Sequence, residues 1–400
     1  MKTETLLFLF VIFSATLSAQ WITLETGTTN WLKSVNFPDV NNGWAVGSDG
    51  TIIHTEDGGL NWDIQDSPVG TFFQTVFFVD ENNGWAVGGS SSEGIIINTA
   101  NGGQSWSEQT SGATSDLRCI VFTDINNGWA CGSDGIMLHT TDQGANWSLQ
   151  STPTTERLNS MTMLDQNTGF AVGNNGTVLK TTDGGNNWLS YNIAEEDDLY
   201  CVHFTILNNG FIVGEDGAGN GVFYWSQDTG MNWMDYDIGT HDAFRFVTFT
   251  SGMNGWIAGN NGTLLKTITG ALTWTEEITG TTSDLSCINF IGPWQGYVSG
   301  DNGVILGTGL PTGTDEFTEN IWLNIFPNPT SSALTFQLST NTQQQSGNIH
   351  IYDALGKVVF QTELLSDKLT IDISHLPDGI YFVQMPANDQ LITKKLIIQK

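Results

Sequence analysis

The stretch "NNGWAVGSDGTIIHTEDGGLNW" (residues 41–62) decides the fold because it recurs. It returns in register as "NNGWACGSDGIMLHTTDQGANW" (126–147) and as "NTGFAVGNNGTVLKTTDGGNNW" (167–188). A fixed period of about 40 residues marks stacked or radial copies of one supersecondary unit. Landmarks give the count. A Trp closes each unit at Trp21, Trp62, Trp106, Trp147, Trp188, Trp233 and Trp274. Sixteen positions on stands a large apolar residue: Phe37, Phe78, Phe122, Met163, Phe204, Phe249 and Phe290. Seven further on, an aromatic follows Gly: Trp44, Trp85, Trp129, Phe170, Phe211, Trp256 and Tyr297. Each series has seven members and neither spacing slips, so the chain holds seven units.

Within one unit, "LKSVNF", "GWAVG", "TIIHT" and "WDIQD" are short apolar runs separated by Asp, Asn and Gly, the signature of four antiparallel strands. "EDGGLN" supplies a turn rich in residues that tolerate positive φ. Four strands repeated seven times predict an all-β, seven-bladed propeller spanning 20–309. The seventh unit lacks a closing Trp, since position 315 is Asp315, while "WITLE" at Trp21 is a spare fourth strand. The N-terminal strand is therefore expected to pair with 304–308 and close the ring, which removes free sheet edges.

The turn "T-x-D-G-G-x-x-W" (Asp57, Gly58, Gly59, Trp62; Asp183, Gly184, Gly185, Trp188) resembles the Asp-box or BNR repeat. The box is degenerate at Asn101 and absent at Thr269–Ala271. The whole unit is similar to the propeller of the photosystem II assembly-factor family. That resemblance implies the fold; it leaves function open, because Asp-box propellers host hydrolases and pure binders alike. The boxes themselves read as structural, with Asp capping a turn and Trp buried between blades.

Residues 1–19 read as a secretory signal peptide: Lys2, the apolar run "LLFLFVIF", then "SATLSA". No other segment is apolar enough to predict a membrane span. Residues 310–320 form a polar linker, and 321–400 lose the period but keep strand-like runs, as a small C-terminal β-sandwich would. "FPNP" (326–329), "IYDALGKVV" (351–359), "LPDGIYFVQM" (376–385) and the terminal "KKLIIQK" resemble the C-terminal sorting domain of the type IX secretion system. This implies that the partner of 321–400 is the type IX secretion machinery of a Bacteroidetes-type Gram-negative bacterium. The implied destination is secretion or the outer-membrane surface.

The formal net charge is −30, and the propeller has 32 Asp and Glu against 6 Lys and Arg. So acidic a surface repels nucleic acid and anionic lipid, which excludes both as partners. Three arginines in the whole chain give no expectation of a basic patch. Four cysteines do not make a disulfide framework; Cys119, Cys201 and Cys287 share one position in three units and read as small buried residues. Cys119 and Cys131 fall opposite each other on one hairpin, where a disulfide is an open alternative. No spacing matches a metal site, a phosphate loop or a cofactor motif, so no cofactor, metal or catalytic residue is assigned.

Propellers bind ligands at the face where the outer strand of one blade leads into the inner strand of the next. Ten residues after each closing Trp stand Trp31, Phe72, Asp116, Arg157, Asp198, Ala243 and Asp284. The next position is apolar in all seven units and belongs to the core. The one after it (Lys33, Gln74, Arg118, Asn159, Tyr200, Arg245, Ser286) is again polar and varied, and the two varied rings together are expected to line the mouth of the central channel. Trp31, Phe72, Asp116, Arg157, Asp198 and Asp284 are the expected ligand contacts, aromatics beside charged groups being suited to a glycan or a peptide. The leading expectation is a monomeric, non-catalytic binding or scaffold propeller. One alternative is a sialidase-like glycoside hydrolase, which would need the "EEDDLY" run (195–200) and the arginine trio Arg118, Arg157 and Arg245. Another is a purely structural surface or adhesion component.

Overall fold

The computed structural model of the 400-residue chain describes residues 21–205, 208–239, 242–292, 295–309, 322–326, 330, 333–339, 347–353, 357–364, 368–387 and 390–398. Two compact units divide the chain, Met1–Leu310 and Pro311–Lys400. The expected signal peptide and linker lie outside the described residues.

The first unit consists of seven four-stranded antiparallel sheets, the blades of a propeller. Blade 1 contains strands Leu32–Asn36, Gly43–Gly47, Ile52–Thr55 and Asp63–Gln65, paired in sequence order. The inner strands of blades 2 to 6 are Phe72–Phe78, Leu117–Phe122, Leu158–Met163, Asp198–Phe204 and Phe244–Phe249. Blade 7 contains Leu285–Ile291, Gln295–Gly300 and Ile305–Thr308, and its fourth strand is Ile22–Leu24 from the other end of the propeller. Ile22 pairs with Gly307 and Leu24 with Ile305, the closure expected from the missing seventh Trp.

Aromatic packing between blades explains the three landmark series. The second-strand aromatic of each blade is at most 6% exposed. It lies on the inner-strand aromatic of the next blade: Trp44 on Phe78 at 3.7 Å between ring centroids, Trp85 on Phe122 at 3.9 Å, Phe211 on Phe249 at 4.1 Å. The closing Trp then stands edge-on to that same ring, as Trp106 does to Phe78 (5.8 Å, 88°). Such pairs contribute about 0.5–1.5 kcal/mol beyond the area they bury. Met163 replaces the ring in blade 4 and packs in the cluster that holds Trp129. The stack also dictates the Gly before each aromatic. A Cβ on Gly43 would stand 2.2 Å from the Phe37 ring, so only a bare backbone fits beneath it.

The outer turn is built on hydrogen bonds local to the turn. In blade 1 the Thr55 hydroxyl donates to Asp57 at 2.8 Å and accepts from the Gly59 N–H at 2.9 Å. The Asp57 carboxylate also accepts from the Asn61 backbone N–H (2.9 Å) and side-chain amide (2.7 Å). These bonds hold Asp57 below the usual carboxylate range against a desolvation that pushes the other way. Blade 6 lacks the Asp and the second Gly of the box, as its sequence shows, yet keeps the turn. Thr267 and Thr269 rebuild the same turn with hydroxyls, Thr269 accepting from the Thr273 N–H at 2.9 Å and Thr267 from the Ala271 N–H at 3.2 Å.

The second unit is a pair of sheets around one core. A three-stranded sheet (Trp322–Phe326, Ala333–Ser339, Lys368–Asp372) and a four-stranded sheet (Val358–Leu364, Gly347–Asp353, Gly379–Ala387, Gln390–Ile398) share buried Leu334, Phe336, Ile349, Ile351, Val383 and Leu396. Among the described residues no helix is long and apolar enough to cross a membrane.

Candidate functional site: the axial cavity

The inner strands surround a cavity of about 750 Å³ on the propeller axis. A β-bulge repeated in every blade sets its mouth. Pairing between the first two strands shifts between Leu32 and Ser34, Phe73 and Thr75, Leu117 and Cys119, Leu158 and Ser160, Leu199 and Cys201, Phe244 and Phe246, and Leu285 and Cys287. A bulge leaves one residue outside the ladder and re-aims its side chain. Here the skipped residues are Lys33, Gln74, Arg118, Asn159, Tyr200, Arg245 and Ser286, and all seven line the cavity.

The six residues expected to carry ligand contacts divide. Trp31, Arg157 and Asp284 line the cavity. Phe72 packs against Trp31, with ring centroids 5.3 Å apart and a 50° tilt, and extends the aromatic wall. Asp116 stands behind Arg118, its carboxylate 2.7 Å from Nε. Asp198 turns to a neighbouring blade, accepting from the Asn175 N–H at 3.2 Å; Asp284 does the same for Asn261 at 2.9 Å. Asn175 and Asn261 both have positive φ (54° and 56°), so these two carboxylates secure turns of the adjacent blade.

Deeper in the channel, polar groups join neighbouring blades. Cys119 Sγ donates to the Met161 carbonyl (3.7 Å), Cys201 to Val247 (3.6 Å) and Cys287 to Val35 (3.7 Å). The shared position of these cysteines is thus a buried link between inner strands. Cys119 faces Cys131 across the hairpin and both thiols are free. One ring further, Asn289 accepts from the Phe37 N–H, Asn36 from Phe78 and His203 Nε2 from Phe249. Burial keeps His203 neutral, lowering its pKa to about 4.

The mouth concentrates positive charge. The propeller has six Lys and Arg, and four of them, Lys33, Arg118, Arg157 and Arg245, line this one cavity. This overturns the expectation drawn from three arginines: the number of charges says nothing of where a ring brings them. Arg118 is paired with Asp116, and Arg245 with Glu215 at 3.4 Å. Glu215 also accepts from the Tyr200 hydroxyl at 2.6 Å, and the Arg245 guanidinium stacks 4.5 Å over the Tyr200 ring. Burial, then the bond to Glu215, pushes the Tyr200 phenol up to about 12. Among the described residues no carboxylate forms an ion pair with Lys33 or Arg157. The Lys33 ammonium lies 4.9 Å over the Trp31 ring, and burial, then Arg245 and Arg118, lower its pKa to about 8. Among the described residues no group of His, Cys, Asp and Glu is placed to hold a metal ion.

This architecture is that of a seven-bladed propeller with an axial cavity to which every blade contributes a side chain. Sequence comparison supplies the family. Residues 13–75, 61–152 and 145–242 match the family described as Photosynthesis system II assembly factor YCF48, more than half of the chain, and the chain belongs to that family. Residues 324–399 match the Secretion system C-terminal sorting domain. No curated protein matches the sequence. Among solved structures, "YCF48 bound to D1 peptide" is similar at TM-score 0.62 and 22% identity, over 73% of this chain and 95% of that one. YCF48 from Cyanidioschyzon merolae follows at TM-score 0.61 and 19% identity, over 72% and 99%. The Niastella koreensis GH74 enzyme gives TM-score 0.59 at 11% identity, over 94% and 74%. At these identities the likeness shows the fold alone. The sorting domain marks the chain for export by the type IX secretion system, to the cell surface or the extracellular space.

Proposed function

We propose that this protein is a non-catalytic binding propeller, displayed or released outside a Bacteroidetes-type cell after removal of a signal peptide, and that its axial cavity takes an anionic peptide or glycan. The observation that carries this reading is the gathering of four of the propeller's six cations at one cavity mouth in a protein of net charge −30. Lys33 and Arg157, in no ion pair among the described residues, are available to an incoming carboxylate, and Trp31 with the tilted Phe72 offers an aromatic apolar wall. The solved relative bound to a D1 peptide is a propeller of the same family that accepts a peptide, which favours a peptide over a glycan. An array of acidic, neutral and basic peptides and of neutral and acidic glycans, probed with the whole protein, tests the reading. Retention of acidic members, weakening as salt rises, is expected; preference for basic or neutral members contradicts it.

One observation favours a second reading, glycoside hydrolysis. Tyr200 and Glu215 are within hydrogen-bond reach, as a phenol nucleophile and its base must be. Against it, Arg118 and Arg245 are already paired with Asp116 and Glu215, which leaves Arg157 alone of the trio for a substrate carboxylate. Release of product from a fluorogenic sugar-acid glycoside, lost in Tyr200→Phe, would reverse the ranking of the two readings.

A further inference from the structure

Blade 3 differs from the other blades at one cross-strand pair. Just after the bulge, the second-strand partner is Val46, Val87, Val172, Val213, Ala258 or Ser299 elsewhere, but in blade 3 it is Cys131, paired with Cys119. Residues paired directly across antiparallel strands have Cα atoms about 4.5–5.5 Å apart, inside the range of about 4.4–6.8 Å that a disulfide spans. Both side chains join one buried cluster with Met161, Ala171 and Trp188, so they leave the same face of the hairpin, toward blade 4. The two thiols also act on each other: Cys131 is the first cause holding the Cys119 thiol below its ordinary range, and Cys119 the first cause pushing Cys131 well above it. They differ in access. Cys119 is 8% exposed and lines the axial cavity, whereas Cys131 is 0% exposed. The sorting domain marks the chain for export, which leads to compartments where disulfides persist.

We propose that Cys119 and Cys131 are joined as a disulfide in the exported protein, with Cys119 the entry thiol, reached through the cavity, and Cys131 the resolving one. The oxidant is a disulfide met outside the cytoplasm. The Cys119 thiolate attacks one oxidant sulfur, a new S–S bond forms, and the oxidant's own S–S bond breaks to release a first thiolate. The Cys131 thiolate then attacks the Cys119 sulfur and expels the second. Two protons and two electrons leave the cysteine pair, and one oxidant disulfide becomes two thiols. Oxidation ends the bond from Cys119 Sγ to the Met161 carbonyl and puts a covalent link between the first two strands of blade 3. The inner strand so fixed carries Arg118, next in sequence, into the cavity mouth. Cys201 and Cys287 pair with Val213 and Ser299 and stay thiols. The proposal is independent of what the cavity binds.

The reduced full-length protein, equilibrated in a mixed glutathione buffer set at the poise of an oxidising compartment, tests it. Unfolded in denaturant with iodoacetamide, the equilibrated protein should be alkylated at Cys201 and Cys287 alone, and the reduced protein at all four cysteines. The tryptic peptide 119–157 holds both Cys119 and Cys131, and mass spectrometry should find it lighter by two hydrogens than its reduced form. Dithiothreitol should lower the Tm of the oxidised parent by several degrees. It should leave the Tm of Cys131→Val unchanged, a variant that takes the residue of Val46, Val87, Val172 and Val213 and so keeps the packing. Cys201→Val should respond as the parent does. Alkylation of both Cys119 and Cys131 after equilibration overturns the proposal. So does glutathione held on Cys119 with Cys131 still a thiol, or a bond from either residue to Cys201 or Cys287.

Discussion

The ring of Tyr297 lies flat on that of Phe37, with centroids 3.8 Å apart and planes 11° from parallel, and this contact joins the last blade to the first. The Tyr297 hydroxyl also donates to the Gly58 carbonyl of blade 1 at 2.5 Å. Behind it, Trp21 stands edge-on to Phe290 at 6.0 Å, the place a closing Trp takes in other blades.

Closure should therefore depend on the N-terminal strand. Trp21 is 4% exposed, and Trp21→Ala should cost about 3–5 kcal/mol, while deletion of residues 20–30 should cost more by freeing an edge. Thermal melts of the three proteins measure this. A deletion variant melting with the parent would mean that blade 7 does not need its fourth strand.

Glycine under the stack is equally exacting. Gly43→Ala would drive a methyl into the Phe37 ring, and overpacking of this kind costs about 1–3 kcal/mol. Gly70 has nothing within 4 Å of an added Cβ, and Gly70→Ala should leave the denaturation midpoint nearly unchanged. Equal midpoint shifts in urea would argue against the stacking account.

His203 predicts a pH dependence. Its folded-state pKa, about 4, lies below the ordinary value of 6.5, so between these the unfolded chain binds a proton that the folded one does not. Stability should fall as pH drops from about 6.5 toward 4. Asn occupies the same position in blades 1 and 7 and accepts the equivalent backbone bond. His203→Asn should keep the fold and flatten the pH profile in that window; an unchanged profile would assign the acid sensitivity to other groups.

The architecture was legible because seven blades repeat each constraint. Trp44, the Phe at 78 with Gly84 beneath it, and the Trp at 106 form one interlocking contact, and a contact repeated from blade to blade leaves a fixed spacing in the sequence. The face that bears the cavity mouth was legible for the same reason. Its exact lining was not. The ring from Lys33 to Ser286 was expected at the channel mouth from its polar variety, but the bulge that turns it inward leaves no mark in a pattern of apolar spacing. Asp198 is indistinguishable in sequence from a rim contact, yet its carboxylate secures the turn at Asn175. Arg118, Arg157 and Arg245 lie far apart in the chain and meet only because the ring closes.

Rim and turn residues should separate binding from stability. Trp31→Ala should weaken ligand binding about 10-fold, on the order of 1.4 kcal/mol, with little change in Tm. Asp57→Ala removes the acceptor of three hydrogen bonds in an outer turn and should lower Tm while sparing binding. Paired calorimetric and melting data on both variants check this; the reverse pattern would move the ligand off the axial cavity.

The most direct measurement is calorimetric titration of the full-length protein with an oligoglutamate peptide, repeated for Arg157→Gln and for Lys33→Met combined with Arg157→Gln. The account predicts binding that weakens as salt is raised, falls with the single variant and drops at least 10-fold further with the double one. Equal affinity for oligoglutamate and oligolysine, or binding unaltered in the double variant, would contradict it.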